Sequence, residues 1–331
     1  MQSRVRRPGI ARLTTVVILL LLGAPLAAGA QPPAPGVHTV GIVTPNRDDR
    51  AYPVLFEALR QLGYHEDRNL RLLVRSAEGK HERLPALATE LVEARVDVIV
   101  AINTPGARAA IRATRQIPII MSIVGDPVGA GFVTTMARPA GNVTGVSNMS
   151  ADLASKRMSL LKELLPVTKR IGVLFNPVDP VTEPQIRDTK RSAPLLGIDV
   201  RMFPVKASSD LPAAFEQMLA WRADAALWLS GQSLAFQPAT IELTTRHRLP
   251  VMVTQRDDVE AGGLISYFAD HGELYRRTAI YVDRILKGAK PGDLPVEQPT
   301  KFELAINLKT ARALGLAVPP PLLLRADRVV E

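Results

Sequence analysis

A chain of 331 residues, 47% hydrophobic and 22% charged, is long enough for two lobes with full cores. It holds no cysteine, which excludes disulfides, a thiol nucleophile, thiolate metal sites and a lipid anchor on cysteine. The formal charge of +9 falls to +5 (37 basic against 32 acidic residues) once the acid-free first thirty residues are set aside. An excess that small and that dispersed, with aromatics at 5%, argues against a nucleic-acid partner and against a base-stacking or carbohydrate-stacking surface.

Arg4, Arg6, Arg7 and Arg12 precede the apolar run "LTTVVILLLLGAPLAAGA", which ends in Ala28-Gly29-Ala30. That pattern predicts a signal peptide over 1–30, cleaved after Ala30, and hence a periplasmic protein. Its strongly apolar core, Val16 to Leu22, is far shorter than the ~20 residues of a membrane span, so an uncleaved anchor is the weaker alternative. "QPPAPG" over 31–36 reads as a stiff linker.

From residue 37 onward the chain is written twice. "HTVGIVTP" is echoed by "KRIGVLFNP", with Pro45 and Pro177 standing 132 apart. Both are continuous apolar runs, as a strand buried on two faces requires. Helical patterns then close at Gly63 and at Gly197, the usual left-handed stop. "LPALATELVEARVDVIV" (84–100) matches "LPAAFEQMLAWRADAAL" (211–227), with Pro85 and Pro212, and Asp97 and Asp224, each 127 apart. Each Pro opens a helix, where its missing N–H costs nothing. "IPIIMSIVGDPVGAGF" (117–132) matches "LPVMVTQRDDVEAGGL" (249–264), again at a spacing of 132.

Alternating strands and helices of this kind predict parallel βαβ units. The fold class is therefore α/β: two doubly wound, parallel-sheet, Rossmann-like lobes. The repeat is exhausted near Phe268, and the remaining tail supplies a helix over 272–288, a Pro-rich crossing, a strand over 302–307 and another helix. The helix is expected to return to the first lobe and the last strand and helix to the second. Lobe 1 then comprises 37–147 plus 271–295, and lobe 2 comprises 148–270 plus 296–331. The chain crosses between them three times, near 147–151, 269–272 and 295–300, which makes a hinge.

Ligands of open parallel sheets bind beyond the carboxyl ends of the strands. Those ends offer Thr44, Asn46, Asn103, Thr104, Gly125, Asp126 and Ser147 in the first half, and Asn176, Ser230, Gln232, Gln255 and Asp257 in the second. Thr104 reads as an N-cap with Pro105 as the first helical residue, and that helix end favours a carboxylate; capping and ligand contact are compatible. Asp126 and Asp258 either hold a ligand amine or cap their loops, and an Asp in both halves favours capping. Asp257 has Gly125 as its counterpart and is the better amine contact. Tyr267 packs on a ligand or on the crossing chain.

No P-loop, complete G-x-G-x-x-G or G-x-S-x-G elbow is present. His38, His65, His81, His247 and His271 form no i, i+4 pair, so neither a metal nor a cofactor is expected and no catalytic residue is assigned.

"EGKHERLPALATELVEARVDVIVA", "ARPAGNVTG", "EAGGLISY" and "LPVEQPTKFELAINLKTARALG" resemble the ABC transporter substrate-binding protein family that includes the TrpX-like tryptophan- and tyrosine-binding proteins. The resemblance spans 37–330. It implies a type I periplasmic-binding-protein fold, a small-molecule ligand held between hinged lobes, an inner-membrane ABC permease as partner, and a monomer that catalyses nothing. "WLSGQSLAF", "TQRDDVEA" and "SYFADHG" depart from that pattern at the pocket, so the resemblance carries the fold and not the ligand. The expected ligand is a small polar organic molecule with a carboxylate, an amino acid being one such. A ligand-sensing receptor domain of the same fold, without transport, is the alternative.

Overall fold

The continuous apolar runs become strands buried on both faces. A computed structural model describes residues 36–46, 51–66, 68–179, 181–229 and 233–331. The predicted signal peptide, all but Gly36 of the linker, and Ser230 and Gln232 lie outside the described residues.

The first half folds as β1 (His38–Thr44), α1 (Ala51–Gln61), β2 (Leu70–Ser76), α2 (Leu84–Glu93), β3 (Val98–Ile102), α3 (Asn103–Ala113), β4 (Ile119–Val124) and β5 (Val143–Ser147). Its five strands are parallel, in the order β2-β1-β3-β4-β5. Every residue of β3, β4 and β5 is buried. Leu84, Leu87, Ala88 and Leu91 of α2, with Ala107 and Ala110 of α3, cover one face.

The second half runs α4 (Ala154–Leu164), β6 (Arg170–Phe175), α5 (Thr182–Ser192), β7 (Asp199–Pro204), α6 (Leu211–Ala220), β8 (Ala225–Trp228), α7 (Ser233–His247), β9 (Val251–Val253), α8 (Arg256–Glu260) and β10 (Ile265–Ala269). Then come α9 (His271–Leu286), β11 (Phe302–Asn307), α10 (Leu308–Ala313), α11 (Pro320–Leu324) and β12 (Arg328–Val330). The second sheet has seven strands, ordered β12-β11-β10-β9-β8-β6-β7. It is not wholly parallel as the sequence led us to expect: β11 runs antiparallel to β10. The reason is connectivity. The chain leaves the second sheet at the end of β10, and β11 re-enters it from that same end, so it runs back. β12, absent from the sequence reading, then pairs parallel to β11.

The duplicated residues do duplicated work. The Asp97 carboxylate accepts from Thr39 N–H at 2.6 Å, and the Asp224 carboxylate accepts from Lys169 and Arg170 N–H at 2.7 and 2.9 Å. Each fixes the start of the first strand of its half, β1 or β6. Gly63 and Gly197 both adopt left-handed backbone, with φ of 93° and 63°, where a Cβ would be penalised. The carbonyls of Pro118 and Pro250 accept equivalent N–H groups, those of Ile99 and Ala226.

Helix α9 departs from the second sheet and packs on the first. Leu274, Tyr275, Ala279, Tyr281, Val282 and Ile285 join a core with Val40, Ile42, Leu55, Leu59 and Val100. Within this contact Ser122 of β4 and Thr278 of α9 share a buried hydrogen bond of 2.9 Å. The following segment lies along β5, where Ser147 N–H donates to the Glu297 carbonyl (2.8 Å) and Glu297 N–H to the Gly145 carbonyl (2.9 Å). The chain thus passes between the sheets after β5, after β10 and before β11, the three-crossing hinge of the fold.

Candidate ligand site between the two sheets

Two strand ends of the first lobe carry left-handed backbone. Asn103, directly after β3, has φ of 59°, and Ile123, near the end of β4, has φ of 61°. A β-branched residue at positive φ is held there only by its surroundings. Ile123 is buried, and β4 slips register against β5 between Met121 and Val124. Such a bulge re-aims the end of a strand. Gly145 of β5 stands opposite with φ of 136°; a Cβ there would lie 2.0 Å from the Met121 carbonyl oxygen.

The two distortions bring Thr104 and Gly125 together. Thr104 is 4% exposed, and its hydroxyl oxygen accepts from Gly125 N–H at 3.4 Å. The sequence expectation for Thr104 needs correction. Helix α3 already includes Asn103, its N-terminal boundary residue is Ile102, and no side chain caps it. Thr104 thus stands inside the helix, and its hydroxyl serves the neighbouring strand end instead.

Gly125 reaches the second lobe. A Cβ built on it would lie 2.2 Å from Cγ2 of Val181 and 2.5 Å from the Ser150 hydroxyl oxygen. The loops that end β4 and β6 are therefore in direct contact. On the β6 side, the Asn176 side-chain oxygen accepts from Val178 N–H, and Asp179 Oδ1 accepts from Val181 N–H, each at 3.0 Å. Thr182 donates its hydroxyl to the carbonyls of Asn176 (3.1 Å) and Asp179 (2.7 Å).

Asp179 is 3% exposed, and burial pushes its carboxyl up to about 6, against smaller opposing effects of the Val181 N–H and of the Arg108 charge. Arg108 belongs to α3, one turn after Thr104 on the same face. Its guanidinium sits 5.4 Å from the ring centroid of Phe132, and its Nε is buried with no hydrogen-bond partner among the described residues. Arg108, Phe132, Asp179 and Val181 were not singled out from sequence. An arginine four residues beyond Thr104, within the alanine-rich stretch "GARAA", was the available signal for the first of them.

The other predicted residues are placed as follows. Thr44 is buried and donates to the Asn46 carbonyl at 2.9 Å; Asn46 is half-buried. Ser147 donates to the Val124 carbonyl (2.9 Å) and accepts from Met149 N–H (3.0 Å). Asp126 accepts from Gly129 N–H at 2.7 Å and so caps its own loop. Asp258 accepts from the N–H and hydroxyl of Thr254 at 3.3 and 3.2 Å and faces the charge of Arg157. Gln255 and Asp257 are half-buried at the start of α8, a helix that packs on β10 and β11 of its own sheet. Asp179, on the loop after β6, feels the charge of Arg108 from the first lobe. Tyr267 stacks on Phe302 of β11, with ring centroids 5.7 Å apart and planes at 20°, while its carbonyl accepts from Arg157 Nε at 2.8 Å. Thr104, Gly125 and the Asn176 loop are brought to one junction; Tyr267 is engaged with the chain that crosses the hinge.

Among the described residues no group of three or more His, Cys, Asp or Glu is placed to hold a metal ion. Among them, too, no helix is long and apolar enough to cross a membrane.

Residues 37–330 match the family of ABC transporter substrate binding proteins. A tyrosine-binding protein of Clostridioides difficile (strain R20291) is 29% identical over 271 residues, which is 81% of this chain and 77% of that protein. A conserved domain protein from Vibrio cholerae superposes with a TM-score of 0.84 at 30% identity, over 88% of this chain and 99% of that one. An ABC domain from Streptococcus pneumoniae in complex with L-Trp gives 0.83 at 28% identity, over 89% and 100%. A ligand-free, open substrate-binding protein with adhesive properties from Clostridium difficile gives 0.65 at 26% identity, over 89% and 99%.

Proposed function

Because the chain belongs to the family of ABC transporter substrate-binding proteins, a family of binding proteins rather than enzymes, we propose that it captures an amino acid between its lobes. It hands the amino acid to an inner-membrane ABC permease, acting as a monomer in the periplasm after removal of residues 1–30. The observation that carries this reading is the contact between Gly125 of the first lobe and Val181 of the second, which brings polar strand-end loops of both lobes to one junction. Two relatives support the ligand class, one named for tyrosine and one holding L-Trp. The TM-score of 0.83 with that complex, against 0.65 with the ligand-free, open structure at nearly the same identity, supports a lobe arrangement of the closed kind.

Binding would shift an open–closed equilibrium, and the permease would read the closed form. The test is a thermal-shift screen of the full chain against the standard amino acids, L-tyrosine and L-tryptophan first. A binder present at a hundred times its Kd stabilises the fold by about 2.7 kcal/mol. A screen in which no amino acid raises the unfolding temperature would overturn the reading.

A further inference from the structure

A run of contacts joins the two lobes through the floor of the site. Thr104 and Arg108 share one face of α3, and the Thr104 hydroxyl accepts from Gly125 N–H. Gly125 touches Val181, and Val181 N–H donates to Asp179 Oδ1. A cation of the first lobe and a carboxylate of the second therefore stand on either side of one junction. The Arg108 charge acts on the Asp179 carboxyl, yet among the described residues the two form no ion pair, and Arg108 Nε is buried with no hydrogen-bond partner. A buried guanidinium Nε with its donor unspent and a carboxylate shielded from water are both costly to keep. Something that carries both charges and fits between them would relieve both.

We propose that Arg108 and Asp179 are the two ends of a clamp for a zwitterion: the Arg108 guanidinium takes the α-carboxylate of the bound amino acid, and Asp179 takes its ammonium group. This rests on the reading of the chain as an amino-acid receptor and names the groups that select that class. Guanidinium and carboxylate pair through parallel N–H···O bonds, which suits Arg108 to the acid end. Asp179 has one oxygen committed to Val181 N–H, which fixes its orientation and leaves the other oxygen for a donor. Phe132, under the guanidinium, holds that group from its far side. Since the two groups come from different lobes, the clamp exists only when the lobes meet. A zwitterion then closes the protein, and a molecule with one charge does not.

The test is calorimetry on the full chain with L-tyrosine, tyramine, which lacks the carboxylate, and 3-(4-hydroxyphenyl)propanoate, which lacks the amine. If the screen selects another amino acid, its own decarboxylated and deaminated analogues replace these. The wild type should lose at least about 30-fold in affinity for either analogue, which is ~2 kcal/mol for an orphaned buried charge. Arg108→Gln should bind the amino acid and the amine alike, within about threefold, having lost the group that told them apart. Asp179→Asn should likewise bind the amino acid and the acid alike. Arg108→Lys keeps the charge without the fork and should fall between. If both variants keep the wild-type ratios among the three ligands, the clamp is wrong while the amino-acid reading stands. If the wild type binds no amino acid, both fall.

Discussion

Adding one methyl group at Gly125 should hold the lobes apart. The built Cβ lies 2.2 Å from Val181 Cγ2, whereas carbon atoms settle near 3.5–4.0 Å. The loops ending β4 and β6 would have to separate by roughly 1.3–1.8 Å. The Ser150 hydroxyl, at 2.5 Å, can rotate away, but Val181 is β-branched and buried, so its methyl has nowhere to turn. Gly125 is not among the residues of positive φ, so alanine meets no backbone penalty and the effect is purely steric. Forcing a side chain into such a space costs ~1–3 kcal/mol, charged here against the closed state alone. That shifts the open–closed ratio by about 5- to 150-fold, and apparent affinity falls by the same factor. Calorimetry with the amino acid selected by the screen measures the loss, and denaturant unfolding of the ligand-free protein should show far less change. Adding Val181→Ala should restore most of the affinity. Unchanged affinity in Gly125→Ala, or a loss that Val181→Ala does not rescue, would refute the reasoning.

Three further outcomes follow from two buried charges. The Asp179 carboxyl titrates at about 6 in the folded protein against 3.8 ordinarily, so between these values the native state holds more protons than the unfolded one. Stability from this group therefore falls as pH rises through that window, by about 3 kcal/mol in all. Asp179→Asn should unfold like the wild type near pH 4 and be the more stable at pH 7, and parallel stability–pH curves would count against the assignment. An ammonium ligand favours the ionised carboxylate, so wild-type affinity should rise as pH increases through about 6. Arg157 is wholly buried, pushed down to about 10 by burial while the Asp258 charge opposes the shift, and it holds the Tyr267 carbonyl just ahead of the second hinge crossing. Arg157→Met should cost ~3–5 kcal/mol in urea unfolding by leaving Asp258 without that charge, and adding Asp258→Asn should recover part of it.

Much of the fold was legible in the residues because duplication doubles a weak signal. Asp97 and Asp224, or Gly63 and Gly197, are ambiguous singly and informative as pairs at one spacing. The antiparallel β11 was not legible, since an apolar run carries no mark of direction; only the entry point after α9 decides it. At the site, the strand-end rule located Thr104, Gly125 and Asn176. It could not say that α3 would begin at Asn103 and leave the Thr104 hydroxyl to the neighbouring strand end. Arg108 and Asp179 escaped for a related reason. An arginine among alanines looks like a solvent-facing charge, and "NPVDP" looks like a turn. What sets them apart is their mutual proximity across 71 residues of chain, which arises only when two lobes meet.

The most direct measurement is a crystal structure of the protein grown with the amino acid that the screen selects. The account predicts the amino acid between the lobes, its carboxylate oxygens and its ammonium nitrogen each within about 3 Å of the Arg108 guanidinium and the Asp179 carboxylate respectively, with Gly125 still against Val181. An amino acid bound to one lobe only, or seated away from both charged groups, would contradict it.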